Sequence, residues 1–104
     1  MEETYYVYIV RCVDNSLYTG ITTDVQRRLS EHAEKGPRTA KYTASHPAVA
    51  LCCAWNAFDR QTASQLEYRI KRLSKAKKEQ LIQEPSLINR WFEEICKGRT
   101  LLPL

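Results

Sequence analysis

The chain has 104 residues, a formal net charge of +4 and a pI near 9.0. That length suits one compact domain with one core, not two. Aliphatic and aromatic residues occur along its whole length, which excludes a disordered tail, and no run approaches the ~18 apolar residues of a membrane span. Positive charge is concentrated: from Arg60 to Glu79 there are seven basic residues and two acidic ones. Such a distribution suits a polyanionic partner, although a solvated helix face has the same composition.

The four cysteines, Cys12, Cys52, Cys53 and Cys96, form no C-x-x-C pair. They read as small hydrophobes in a reducing compartment, not as zinc ligands or disulfides. The opening Met1-Glu2-Glu3 is acidic and carries no apolar stretch, which argues against a secretory leader and makes the cytoplasm the default.

Taken in order, Tyr5 to Val13 is rich in β-branched and aromatic residues and predicts a strand. Asp14-Asn15-Ser16 is a turn cluster, and Leu17 to Thr22 predicts the second strand of a hairpin. With that three-residue loop, Val13 faces Leu17. Tyr8, Val10 and Cys12 then share a face with Tyr18, Gly20 and Thr22. Thr23 or Asp24 can cap a helix from about Val25 to Lys35, with Val25, Leu29 and Ala33 as its apolar stripe, ended by Gly36-Pro37. A polar loop from Arg38 to Pro47 follows. Ala48 to Phe58 predicts the third strand, with Val49, Leu51, Cys53 and Trp55 facing one way.

Asp59 or Thr62 can cap the next helix, whose inward residues are Leu66, Ile70 and Leu73. Ser74 caps a further helix carrying Leu81 and Ile82. Ser86 precedes a last one with Leu87, Ile88, Trp91, Phe92 and Ile95 on one side and Gly98 beyond its end. The predicted class is α/β in the order β-β-α-β-α-α-α. A small three-stranded sheet has helices packed over it, and residues 1–104 form a single domain.

One constellation carries chemistry. Tyr8 and Tyr18 lie on paired strands, Arg28 and His32 follow at i and i+4 on the next helix, and Glu67 sits beside inward-facing Leu66. Singly, each has a plainer reading: strand aromatics, an exposed helix face, and an i,i+4 ion pair of Glu67 with Lys71. Together they occur among five short motifs in order: Tyr6-Val7-Tyr8, Tyr18-Thr19-Gly20, Arg27-Arg28-Leu29-Ser30-Glu31-His32, Lys41-Tyr42-Thr43 and Leu66-Glu67-Tyr68.

In these motifs the sequence resembles the GIY-YIG endonuclease superfamily, and within it the small stand-alone bacterial members. The resemblance covers a core of about residues 5–82, with the C-terminal helix at about 86–97 lying beyond it. It implies a metal-dependent endonuclease that hydrolyses phosphodiester bonds, in DNA in preference to RNA. By resemblance Tyr18 activates the attacking water with Tyr8 hydrogen-bonded nearby. Arg28 holds the scissile phosphate, His32 stands where the family uses Tyr or His, and Glu67 ligates one Mg²⁺ or Mn²⁺ per site. Arg27, Lys41, Tyr42, Lys71, Arg72, Lys75 and Lys78 are the nucleic-acid-binding candidates. Two departures stand out. The first glycine of the family's leading motif is Tyr6, and the residue after its second motif, a lysine in excision-repair members, is Ile21. A single small domain offers few base-edge contacts, so selectivity is expected for strand structure and not for sequence. The competing reading is a non-catalytic nucleic-acid-binding module that keeps the fold and the basic face.

Overall fold

The computed structural model describes residues 4–34 and 48–104, with residues 32–34, 48 and 49 described in backbone only. Its elements are β1 (Tyr6–Cys12), β2 (Leu17–Thr22), α1 (Val25–Glu34), β3 (Ala48–Asn56), α2 (Arg60–Lys71), α3 (Lys75–Gln83), α4 (Leu87–Trp91) and α5 (Glu93–Cys96). The three strands form one antiparallel sheet in the order β2-β1-β3. The architecture is the α/β arrangement that the sequence predicts.

The hairpin turns one residue earlier than expected. Cys12 and Ser16 close it, Val13 is exposed in the turn, and Arg11, not Val13, pairs with Leu17. The carbonyl of Cys12 accepts from the amide of Asn15 at 2.8 Å, and Asn15 sits at φ 69°. A short polar residue tolerates this left-handed position, and a tight turn followed by such a residue is a standard three-residue hairpin loop. Both strand ends shift together, so facing parity survives: Tyr8 pairs with Gly20 and Val10 with Tyr18.

In β3 the regular alternation fails. Its register against β1 shifts between Ile9 and Val10, so Cys53 pairs with Ile9 but Leu51 with Val10. The extra residue, Cys52, is a bulge that reverses the facing of Leu51 and Ala50, and a second register shift follows between Arg11 and Cys12. Cys53 and Trp55 join the large core, whereas Leu51 packs with Tyr8, Val10 and Ala54 on the opposite face. The expectation that Leu51 shares a face with Cys53 and Trp55 is therefore corrected.

The sheet is covered on both sides. Val7, Ile9, Cys53 and Trp55 pack under α2 to α5 with Leu66, Ile70, Leu81, Ile88 and Phe92, all buried. The smaller cluster on the other face receives Val25 and Leu29 from α1. Asp24 caps α1 by accepting from the Arg27 amide at 3.1 Å. Asp59, not Thr62, caps α2, accepting from the Thr62 amide at 2.7 Å, and Ser74 caps α3. Thr62 lies inside α2, buried, where its hydroxyl accepts from Arg99 at 2.8 Å.

The predicted last helix is two short ones, broken at Phe92 (φ −124°, ψ 42°). Beyond them the chain returns to the sheet: the amide of Leu104 donates to the carbonyl of Ala54 at 2.9 Å, and Pro103 bridges to Trp55. This covers the outer edge of β3, where exposed backbone would otherwise invite pairing with another chain. The Asn89 side chain anchors the return by accepting from the Leu101 amide at 2.7 Å and donating to its carbonyl at 3.0 Å.

Candidate active site

The site gathers on the face of the sheet covered by α1. Tyr8 in β1 is buried to 2% exposure, opposite Gly20 in β2. A Cβ on Gly20 would fall 2.5 Å from the Tyr8 hydroxyl and 3.1 Å from Tyr18 Cε2. Glycine is needed here for close approach: the Tyr8 phenol lies across its backbone, beside the ring of Tyr18. From α1, the Arg28 guanidinium lies close enough to the Tyr8 phenol to favour its charged form, and it pairs with Glu31 at 2.9 Å.

Burial pushes the Tyr8 phenol up to about 12; Tyr18 adds to the rise, Arg28 opposes it, and Glu67 contributes a further upward push. Tyr8 in β1 thus lies within reach of Tyr18 in β2, Arg28 in α1 and Glu67 in α2. The cause is geometric, since β2 is an edge strand and side chains of α2 can reach round it. Lys71 does so, placing its ammonium 5.4 Å from the centre of the Tyr18 ring. The same ammonium stands 3.5 Å from Glu67 Oε2. The i,i+4 pair expected from sequence therefore forms, at a partly exposed position where such pairs contribute about 0.3–0.5 kcal/mol.

The remaining candidates divide. His32 lies in the backbone of α1, its side chain outside the described residues, and Lys41 and Tyr42 are outside them as well. Arg27 is exposed on α1. Lys78 in α3 is close enough to Lys71 to feel its charge: burial lowers the Lys78 ammonium below the usual lysine range, and Lys71 lowers it further. Lys75 is exposed at the start of α3, and Arg72 lies over the ring of Tyr68, 5.4 Å from its centre. Tyr68 enters the sequence reading only as the last residue of the Leu66-Glu67-Tyr68 motif. Its position off the apolar stripe of Leu66, Ile70 and Leu73 was the available sign that it is not core.

Among the described residues no three His, Cys, Asp or Glu side chains gather as a metal cage. Glu67 offers a single hard oxygen donor group. That donor set fits an ion that keeps much of its own water, as Mg²⁺ does, and does not fit a zinc-type cage.

The catalytic-domain profile of the GIY-YIG family matches residues 4–80. A UPF0213 protein of Bacillus velezensis is 46% identical over 82 residues, which span 78% of this chain and 80% of that relative. A UPF0213 protein of Yersinia pestis is 43% identical over 93 residues, spanning 88% and 95%. The solution NMR structure of a UPF0213 protein from Bacillus halodurans is 42% identical, covers 77% of this chain and 83% of its own, and superposes with a TM-score of 0.45. The chain belongs to the GIY-YIG family. Membership implies nuclease activity, nucleic-acid binding and divalent-metal dependence in general. No helix among the described residues is long and apolar enough to cross a membrane.

Proposed function

We propose that this protein is an endonuclease that uses one Mg²⁺ or Mn²⁺ ion to hydrolyse phosphodiester bonds in DNA, selecting strand structure and not sequence. The observation that carries the reading is that the buried Tyr8 phenol lies beside Tyr18 over Gly20 and within electrostatic reach of Arg28 from α1 and Glu67 from α2. Binding alone needs only positive charge; a buried phenol, a second phenol, a guanidinium and a carboxylate within mutual influence suit a reaction that moves a proton and stabilises an anion. A reducing, cytoplasmic setting suits four free cysteines.

The two tyrosines have different work. A phenol held protonated to about pH 12 is a poor base, so Tyr8 serves as a hydrogen-bonding partner that fixes Arg28. Tyr18, half-buried and open to the ammonium of Lys71, is assigned to the attacking water, whose proton it accepts or relays. Arg28 meets the scissile phosphate, which competes with Glu31 for the guanidinium. Glu67 would hold the ion, which supplies positive charge to the phosphoryl oxygens. Lys71 serves meanwhile as the counter-charge of Glu67. Arg27, Arg72, Lys75 and Lys78 hold the backbone of the nucleic acid, with Lys41 and Tyr42 retained as further contacts.

The test is Glu67→Gln, which keeps the shape of the side chain and removes its charge. Cleavage of flapped and single-stranded DNA in Mg²⁺ should be lost, Mn²⁺ binding measured by calorimetry should weaken, and DNA affinity in EDTA should hold or rise. Cleavage persisting at the wild-type rate would promote the non-catalytic binding module to first place.

A further inference from the structure

We propose that Tyr68 and Arg72 form a stacking subsite for an unpaired nucleobase next to the scissile phosphate, so that the preferred substrate carries single-stranded nucleotides at the cut. The proposal rests on the nuclease reading above and adds to it the element that would select strand structure.

Tyr68 is 60% exposed on the outer side of α2. A large aromatic ring left in water at a helix centre contributes nothing to the core, and here the core positions of α2 are filled by Thr62, Ala63, Leu66 and Ile70. The ring is nevertheless held. The Arg72 guanidinium lies 5.4 Å from its centre and donates to its hydroxyl at 3.4 Å. A pinned, exposed ring loses little freedom when a second planar group stacks on it, and a guanidinium offers a planar cationic neighbour to the same base. Phe58, also exposed, differs in lying 4.7 Å beneath the Arg99 guanidinium, which in turn bonds to Thr62 inside the fold.

Placement supplies the link to the site. Successive helical residues are turned by about 100°, and residues four apart fall in one row. Glu67 and Lys71 therefore form the row facing Tyr18. Tyr68 and Arg72 form the adjacent row, further from the sheet. A strand whose phosphate sits against the first row carries its neighbouring base over the second. Beyond the ring lies an open groove lined by Ser64, Gln65, Arg69 and Ile95, which gives the base room and hydrogen-bonding groups. Charge is complementary as well, since Arg72 lies over the ring and the acidic Glu94 across the groove is paired with Arg69 at 3.0 Å. A base inside a duplex is already stacked on both faces and cannot lie on Tyr68; an unpaired one can.

The experiment measures affinity for a fluorescein-labelled oligothymidylate and for a blunt DNA duplex, both in EDTA, using wild type, Tyr68→Ala and Tyr68→Phe. Tyr68→Ala should bind the single strand about 10-fold more weakly, the loss of one stacked base. Duplex binding should not change, and Tyr68→Phe should behave as wild type. A 5-iodouracil oligonucleotide should photo-crosslink to Tyr68, located by peptide mass spectrometry. Unchanged single-strand affinity in Tyr68→Ala, or an equal loss on both probes, overturns the stacking subsite while leaving the nuclease reading intact. A wild-type protein that binds neither probe overturns both.

Discussion

The two faces of the sheet are made from alternate residues of the same strands and do opposite things. Val7, Ile9, Cys53 and Trp55 face a wide apolar core roofed by four helices. Tyr8, Val10, Ala54 and Tyr18 face a small cluster under α1 that contains two phenols and is bordered by a guanidinium. A buried phenol and a charged neighbour cost desolvation energy. The large core on the reverse face offsets that cost, so reactive groups can be packed tightly on the other side. The bulge at Cys52 serves the division by sending Leu51 to the site face while Cys53 and Trp55 stay in the core.

The sharpest way to break the comparison is to damage the structural face. Trp55 is fully buried and its indole N–H donates to the Pro85 carbonyl at 2.9 Å, tying β3 to the segment before α4. Trp55→Ala should destabilise the fold by about 3–5 kcal/mol. Chemical denaturation checks this, and a loss below about 1 kcal/mol would mean that the large core is not what holds the sheet. Next in size is Gly20→Ala on the site face. Its Cβ must displace the Tyr8 phenol, and displacement of reacting groups by about 1 Å can cost 10²-fold in rate. Cleavage should fall by about that factor while circular dichroism stays that of the native fold. An active Gly20→Ala would show that the Tyr8–Tyr18 contact is packing alone.

The site face should also carry its own pH signature. Folding holds the Tyr8 proton to about 12, above the unfolded value near ~10. Below pH ~10 both states keep the proton and stability is unaffected. Between ~10 and ~12 the unfolded chain loses a proton that the folded chain retains, so stability falls as pH rises, by about 2–3 kcal/mol across the window. Tyr8→Phe should remove this component, seen as a shallower alkaline decline than wild type in denaturation curves. Parallel declines would place the Tyr8 phenol in water.

Much of this division was legible in the sequence, for reasons that can be named. Alternation in Tyr6–Cys12 and Leu17–Thr22 sets which tyrosines share a face, and an equal shift of both strand ends cannot disturb it. The turn itself was misplaced because Val13 is β-branched and reads as strand; only the positive φ of Asn15 reveals the loop. The run from Ala48 to Trp55 is apolar at nearly every position, so it contains no alternation from which a bulge at Cys52 could be read. The break at Phe92 was hidden because apolar spacing continues across it, and Leu101–Leu104 is too short to announce an edge pairing. The convergence of Arg28 and Glu67 on Tyr8 depends on two helices covering opposite faces, a tertiary fact that no local pattern holds.

The smallest expected effect concerns an imperfection on the structural face. Thr19 pairs with Ile9 and is 2% exposed, and its hydroxyl is buried without a hydrogen-bond partner among the described residues. A hydroxyl taken out of water and left unpaired costs about 1–3 kcal/mol, whereas a methyl group of the same shape favours that environment. Both Thr and Val are β-branched and suit a strand, so backbone preference does not change. Thr19→Val should therefore raise stability by about 1 kcal/mol in denaturant titration. Its side chain points away from Tyr8 and Tyr18, its immediate neighbour in sequence, so cleavage should stay at the wild-type rate. A stabilised, fully active variant would separate the two faces cleanly. A stabilised variant with impaired cleavage would show that the Thr19 hydroxyl helps set the position of Tyr18, and that the division between a structural and a reactive face is less complete than the packing indicates.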